Sequence, residues 1–228
     1  MSKTKKKTLR VLINNRVDNS AYIKFLSEVV DIVTVPANTW DGDSVDLALF
    51  IGGQDVLPSL YGEELGANTQ CSKDRDDYES KYMYNRLSTH TPKLGICRGA
   101  QFLTVYAGGK LIQDVSGHAG IASHPITFAP QYGIGEIPMT STHHQMMYPY
   151  DLREDKYDVI ATSTYYLSNK YHDGNNENIE LPDNFMECEI VHYPHRNSLA
   201  IQGHPESDSY YSDYKNIILD LIFQTLKL

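Results

Sequence analysis

The chain is short of cysteine, of positive charge and of long apolar runs, and each shortage removes a class of protein. Its three cysteines (Cys71, Cys97, Cys188) are an odd number, lie far apart and include no CxxC pair. That spacing suggests neither a disulfide framework nor a zinc site and favours a reducing, cytoplasmic setting. No apolar stretch reaches the roughly 18 to 20 residues a membrane-spanning helix needs, so no membrane partner is expected. Against 29 Asp and Glu stand only 20 Lys and Arg, a net charge of −9. Such a balance repels phosphate backbones and anionic lipid, and no nucleic-acid partner is expected. The only basic block, Lys3 to Arg10, lacks the apolar centre of a secretory signal, and residues 1–7 read as a flexible, solvated tail.

What is present fits one packed domain. The 228 residues are 41% hydrophobic and 21% charged, with no internal repeat or linker, so a single domain over residues 1–228 is expected. Thr8 to Asn14 reads as a buried strand, and Ala21 to Val30 has helical spacing behind Asn19 or Ser20 as cap. Asp31 to Val35 and Leu47 to Ile51 read as further buried strands, the second ending at Gly52 and Gly53. Asp74 to Leu87 aligns Tyr78, Tyr82 or Met83, and Leu87 on one helical face. Pro92 to Ile96 is a strand candidate, and Arg98 to Ala107 a helix stopped by Gly108 and Gly109. Alternating strands and helices predict an α/β fold with a parallel sheet covered on both faces. The second half is Tyr-rich and turn-rich. It offers strands at Tyr157 to Ala161, Glu187 to Tyr193 and Ser198 to Gln202, and a surface loop at Asn169 to Asn184. Asp208 to Leu226 closes as an amphipathic helix with Tyr211, Tyr214, Ile218, Leu221, Ile222 and Thr225 near one face.

Gly95, Ile96, Cys97, Arg98 and Gly99 form a cysteine version of GxSxG between a predicted strand and a predicted helix. A tight strand-to-helix turn pushes its nucleophile out above the sheet, and the flanking glycines let backbone approach closely. The helix N-terminus favours thiolate over thiol, and Arg98 beside it is expected to add to that effect. His204 and Glu206 follow a predicted strand. Residues two apart in extended chain share a side, so the carboxylate can orient the imidazole as base. Gly53 or Gly52 with the N–H of Arg98 can hold a developing oxyanion; a simple βα turn explains the same glycines. His118, His143 and His144 invite a metal reading. No companion carboxylate or thiolate stands at helical ligand spacing, so pocket or packing roles are expected, without metal or cofactor.

Four ordered blocks, GGQDVLPSLYGEE (Gly52 to Glu64), LGICRGAQFLTVYAGGKLIQD (Leu94 to Asp114), STHHQ (Ser141 to Gln145) and IQGHPE (Ile201 to Glu206), give a resemblance that covers most of the chain. It resembles the class I glutamine amidotransferase superfamily, and within it the γ-glutamyl hydrolase branch, peptidase C26, which includes γ-glutamyl-γ-aminobutyrate hydrolase. The resemblance implies a three-layer α/β/α, flavodoxin-like fold with a central, mostly parallel sheet and a small additional β region. It implies Cys97 as nucleophile, His204 as base and acid, Glu206 as orienting carboxylate, and Gly53 with Arg98 as oxyanion donors. Gln101, His143 and His144 match positions near a γ-glutamyl substrate, and Asp55, Tyr61, Glu63 and Glu64 match a block of the hydrolase branch. Two departures stand out: Gly203, where the family usually carries a bulky residue, and an apparent insertion at Tyr165 to Asn184. The implied substrate is a small γ-glutamyl amide or glutamine. The chain is expected to act as a freestanding hydrolase or, alternatively, as a glutaminase component serving a synthetase partner; a homo-oligomer and a silent binding protein on the same scaffold are further readings.

Overall fold

The computed structural model describes residues 6–119, 121–207 and 212–228. Its elements in chain order are β1 (Thr8–Ile13), α1 (Ser20–Leu26), β2 (Asp31–Pro36), β3 (Leu47–Phe50), α2 (Lys73–Tyr78), β4 (Lys93–Ile96) and α3 (Arg98–Tyr106). The second half supplies β5 (Lys110–Ile112), β6 (Asp114–Val115), β7 (Ile121–Phe128), β8 (Glu136–Ser141), β9 (Met146–Tyr148), β10 (Asp158–Ser163), β11 (Tyr171–His172), β12 (Cys188–Tyr193), β13 (Ser198–Ile201) and α4 (Ser212–Leu226).

A 9-stranded sheet in the order β2-β1-β3-β4-β13-β12-β10-β7-β8 organises the molecule. From β2 to β13 neighbouring strands pair parallel; from β13 to β8 they pair antiparallel. β3, β4 and β13 sit in the middle and are buried along their whole length, as strands covered on both faces must be. On one face Leu9, Val11, Leu49, Ile96 and Ile201 pack with Phe25 and Leu26 of α1 and Ile218 and Ile222 of α4. On the other, Leu12, Ala48 and Phe50 pack with Tyr78 of α2 and Phe102 and Leu103 of α3. The result is an α/β/α sandwich, each fully buried Leu, Ile or Phe contributing roughly 1.5–3 kcal/mol. The additional β region consists of two ribbons, β5 with β9 and β6 with β11.

Several expectations need correction. β2 is the outer edge strand and mostly solvent-facing, not buried. α1 ends at Leu26, short of Val30: the Ser27 hydroxyl donates to the Ile23 carbonyl at 2.7 Å, and tighter turns follow through Glu28. Asn19 takes the cap position, but its side chain donates to the carbonyls of Asn14 and Val17, both at 2.8 Å, and caps nothing. The helix expected over 74–87 breaks into α2, a wide turn at Glu79–Met83 and a 3₁₀ turn at Tyr84–Arg86; Tyr78 and Met83 face the core, whereas Tyr82 faces solvent. Such a widened turn re-aims side chains, here bringing Glu79 inward. Of the basic tail, Lys6 and Lys7 are tied down: the Lys6 ammonium donates to the carbonyls of Ser27 (3.0 Å) and Glu28 (2.8 Å), and the Lys7 carbonyl accepts from Asp31 at 2.8 Å. Residues 1–5, and Asp208 to Tyr211 at the expected start of the last helix, lie outside the described residues. α3 stops as expected at Gly108, where φ is +98°.

No helix among the described residues is long and apolar enough to cross a membrane. The apparent insertion is built into the fold. β11 pairs with β6, and Tyr171, Ile179 and Leu181 pack on Ile112, Val115, Tyr148 and Phe185. The Glu187 carboxylate accepts from the backbone of Leu167 (2.9 Å) and Ser168 (2.8 Å) and from the Tyr171 hydroxyl (2.8 Å).

Candidate active site

The carboxyl ends of β3, β4 and β13 converge on one rim. β4 delivers Cys97 at a turn whose φ of 53° and ψ of −114° are rare for any residue but glycine. This strained backbone is held from several sides: the Cys97 N–H donates to Ile201 at 2.8 Å, and its carbonyl accepts from Ala100 (2.9 Å) and Gln101 (3.2 Å) in the first turn of α3. Glycine is obligatory on both flanks. A Cβ on Gly95 would lie 2.4 Å from the Gly99 carbonyl, and one on Gly99 would lie 2.1 Å from the Phe50 carbonyl.

β13 delivers His204. Its Nδ1–H donates to Glu206 at 2.7 Å, its backbone N–H donates to the Thr140 hydroxyl at 2.8 Å, and Cys97 lies close enough to interact with the ring. Burial pulls the ring's pKa down, but the hydrogen bonds and charges of Cys97 and Glu206 outweigh burial and hold it up at about 10. The imidazole is therefore charged at neutral pH, which makes it the counter-ion a thiolate needs.

Tyr22, in α1, is a site residue that the sequence pattern did not reveal. Its hydroxyl accepts from the Gly52 N–H at 3.2 Å and lies near Glu206; burial, with the charge of Glu206, raises its pKa. Nothing local in AYIKFL distinguishes a rim tyrosine from a core one. Gly52 is consequently not an oxyanion donor, because its N–H already serves Tyr22. Its lack of a side chain is needed for another reason: a Cβ there would stand 2.9 Å from the His204 ring.

Gly53 turns at φ +143°, and Arg75 clamps the loop by donating to the carbonyls of Gly52 and Ile51, both at 2.9 Å. The N–H of Arg98 opens α3, where the first helical donors have no intrahelical acceptor. The Arg98 guanidinium, however, does not add charge at Cys97. It is fully buried beneath the turn, paired with Asp76 and Glu79, with Arg75 (3.0 Å) and Asn14 (2.9 Å) also donating to Glu79.

A cavity of about 280 Å³ opens in front of the sulfur, lined by Gly53, Asp55, Gln70, Gln101, His143 and His144, among others. Gln101 is fixed by donation to the Gln145 carbonyl at 3.0 Å. His144 pairs with Asp55 at 3.1 Å, and this hydrogen bond raises the ring's pKa against burial. His143 lies on the wall, but Nδ1 donates to the Gln145 carbonyl at 2.9 Å and burial depresses its pKa strongly. Glu63 faces away, 3.5 Å from the Lys110 ammonium, and Tyr61 is buried in the core. Glu64 contributes its carbonyl to Gln113 at 2.9 Å. No companion carboxylate stands at helical spacing, but the antiparallel strands bring one in from afar: His118, His124 and His143 converge on Glu189 of β12. Cys188, one residue earlier, is sealed, and burial pushes its thiol up to about 12.

The family model described as Peptidase C26 matches residues 41–206, most of the chain and every residue of this rim except Tyr22. The chain belongs to the peptidase C26 family. It is thereby a class I glutamine amidotransferase-like protein, consistent with 32% identity over 169 residues to the Lactococcus lactis protein YvdE, described as glutamine amidotransferase-like. That match covers 71% of this chain and 66% of the relative, so the chain spans slightly less than two thirds of the relative's length. The carbamoyl phosphate synthase small chain of Pseudomonas syringae is 29% identical over 58% of this chain and 29% of its own. Among solved structures, a glutamine amidotransferase of Thermotoga maritima superposes with a TM-score of 0.56 at 12% identity, covering 99% of this chain and 100% of the other. That likeness concerns the fold.

Proposed function

We propose that this peptidase C26 protein hydrolyses the γ-amide bond of glutamine-like or γ-glutamyl-amine substrates through a thioester on Cys97. The observation that carries this reading is the chain of contacts from Cys97 through His204 to Glu206 at the mouth of a cavity. The sulfur attacks the γ-carbonyl carbon, and in this reading the oxyanion that forms is held by the N–H groups of Gly53 and Arg98. The C–N bond then breaks as His204 gives its proton to the departing amine. His204, now neutral, takes a proton from water, whose oxygen attacks the thioester carbonyl. Glutamate leaves and the sulfur regains its charge. Glu206 holds the ring. Gln101, Asp55 and His144 offer the polar contacts that an α-amino-acid end requires. A cytoplasmic setting, which keeps the thiol reduced, fits this chemistry.

A second reading, a glutaminase component that passes ammonia to a synthetase, is favoured by the likeness to a carbamoyl phosphate synthase small chain. One assay set separates the two. The protein alone is incubated with glutamine, with γ-glutamyl amines and with a glutamine-like diazo-ketone, and ammonia, amine and adduct mass are followed. Partner-free turnover of γ-glutamyl amines supports the hydrolase; weak glutaminase activity raised by a copurifying synthetase supports the alternative. Cys97→Ser is expected to abolish turnover and adduct while leaving the circular dichroism spectrum unchanged. Near-normal rates in that variant would remove the nucleophile from the mechanism.

A further inference from the structure

Behind the cavity wall, at the junction of β7, β8 and β12, three imidazoles and a carboxylate meet in the buried interior. Each of His118, His124, His143 and Glu189 offers a ligand atom, and these atoms lie within 4.8 Å of one another. All four residues are 3% exposed or less. The inward atoms, Nδ1 of His118, Nε2 of His124, Nε2 of His143 and both oxygens of Glu189, have no hydrogen-bond partner. They are nonetheless close: Glu189 stands 3.1 Å from His124, 3.4 Å from His118 and 3.9 Å from His143. Buried polar atoms are almost always paired, so five orphans around one point need a physical explanation.

The outer sides of the rings supply one. His118 Nε2 meets the Glu187 carboxylate at 3.1 Å, His124 Nδ1 meets the Pro125 carbonyl at 3.2 Å, and His143 Nδ1 meets the Gln145 carbonyl at 2.9 Å. A carbonyl or carboxylate only accepts, so His118 Nε2 and His143 Nδ1 each carry a proton outward, as does His124 Nδ1, which also lies 3.3 Å from the Ser163 hydroxyl; a ring without a second proton then turns a lone pair inward. Glu187, already accepting from Leu167, Ser168 and Tyr171, is held as a carboxylate. Inward lone pairs beside a carboxylate repel one another unless a proton or a metal ion lies between them, and one ion satisfies all five atoms at once. Metal-bound imidazoles are fixed by such outer hydrogen bonds. Donors at about 2.0–2.1 Å from a tetrahedral zinc ion stand roughly 3.3 Å apart, which His124 and His118 match against Glu189, while the four ligand atoms as a set lie within 4.8 Å and would draw together on an ion. Three imidazoles argue against magnesium or calcium, which prefer oxygen.

We infer that His118, His124, His143 and Glu189 bind a divalent transition-metal ion of the zinc type. The charge balances, since the ion's two positive charges meet Glu189 as ligand and Glu187 behind His118. With the fourth position taken by Glu189, the site is closed and structural. It ties the wall carrying His143 to β12 and to β7.

The test is metal analysis of the whole chain, produced without a histidine tag, desalted and measured by plasma mass spectrometry. About one zinc per chain is expected. Glu189→Gln and His124→Gln should each lower occupancy at least tenfold, with folding checked by circular dichroism. Should those variants misfold, X-ray absorption of the wild-type protein decides: a first shell of three imidazoles and one carboxylate supports the site, and a thiolate ligand overturns it. A wild-type protein that emerges without metal and takes up neither zinc nor cobalt when refolded with either ion would show that the cluster holds protons, and the inference would fail. Equal occupancy in wild type and both variants would overturn it as well.

Discussion

At the residue scale the decisive object is the His204 ring. Its ordinary pKa is 6.5, and Cys97 and Glu206 hold it at about 10 against the opposing effect of burial. A raised pKa means that the contribution to folding stability is complete below about 6.5 and fades as pH climbs through about 10. The proposed mechanism uses the same proton, so kcat/KM should fall on the alkaline side near pH 10. Glu206→Gln should move that limb toward neutrality, with a rate loss smaller than that of His204→Ala, because an orienting group is more dispensable than the base it orients. A pH–rate profile with an unmoved limb would separate Glu206 from the ring. Gly203 illustrates a residue whose unusual identity the fold accommodates. A Cβ there would lie 2.5 Å from Met139 and 2.9 Å from the Thr140 carbonyl, so Met139 fills the space that a side chain at position 203 would need.

At the scale of elements, α2 and α3 are joined by buried charge. Arg98 at the start of α3 reaches Asp76 and Glu79, both almost without solvent contact, and Arg75 couples Glu79 to the carbonyls of Ile51 and Gly52. Arg98→Met leaves those carboxylates undercompensated and should cost about 3–5 kcal/mol, read as a lowered urea midpoint. A change below about 1 kcal/mol, the scale of an exposed pair, would mean that Arg75 alone balances the cluster. The parallel strands and α3 were legible in the sequence because short β-branched runs ending in glycine admit few other structures. The exposed edge position of β2 was not, since DIVTV is as apolar as a central strand and only the strand order reveals which neighbour is missing. The break in the helix after Tyr78 was hidden for a related reason: local spacing permits a continuous helix, and the demand of Arg98 for Glu79 comes from 19 residues away. Cys97 and the His204–Glu206 pair were visible because their chemistry depends on local spacing. Tyr22 and Glu189 were not, because they enter by tertiary contact.

For the molecule as a whole, parallel and antiparallel halves share one sheet, joined where β13 pairs with β4 on one side and β12 on the other. Such a shared core should unfold as one unit. The single tryptophan, Trp40, is buried in the parallel half, whereas the Tyr148, Tyr150 and Phe185 ring cluster reports on the other. Urea transitions followed by tryptophan fluorescence and by near-ultraviolet circular dichroism should coincide. Midpoints separated by more than their error would define two folding units.

Cys97 and His204 hang from adjacent strands whose register pairs Ile96 with Ile201. Backbone ladder bonds therefore set the spacing between sulfur and ring, while the surfaces that would greet a substrate come from loops around residues 54–70 and 142–144. Reactivity and selectivity are thus housed in separable parts, and a protein engineer could exchange those loops to admit a new amine while leaving the reacting pair in register.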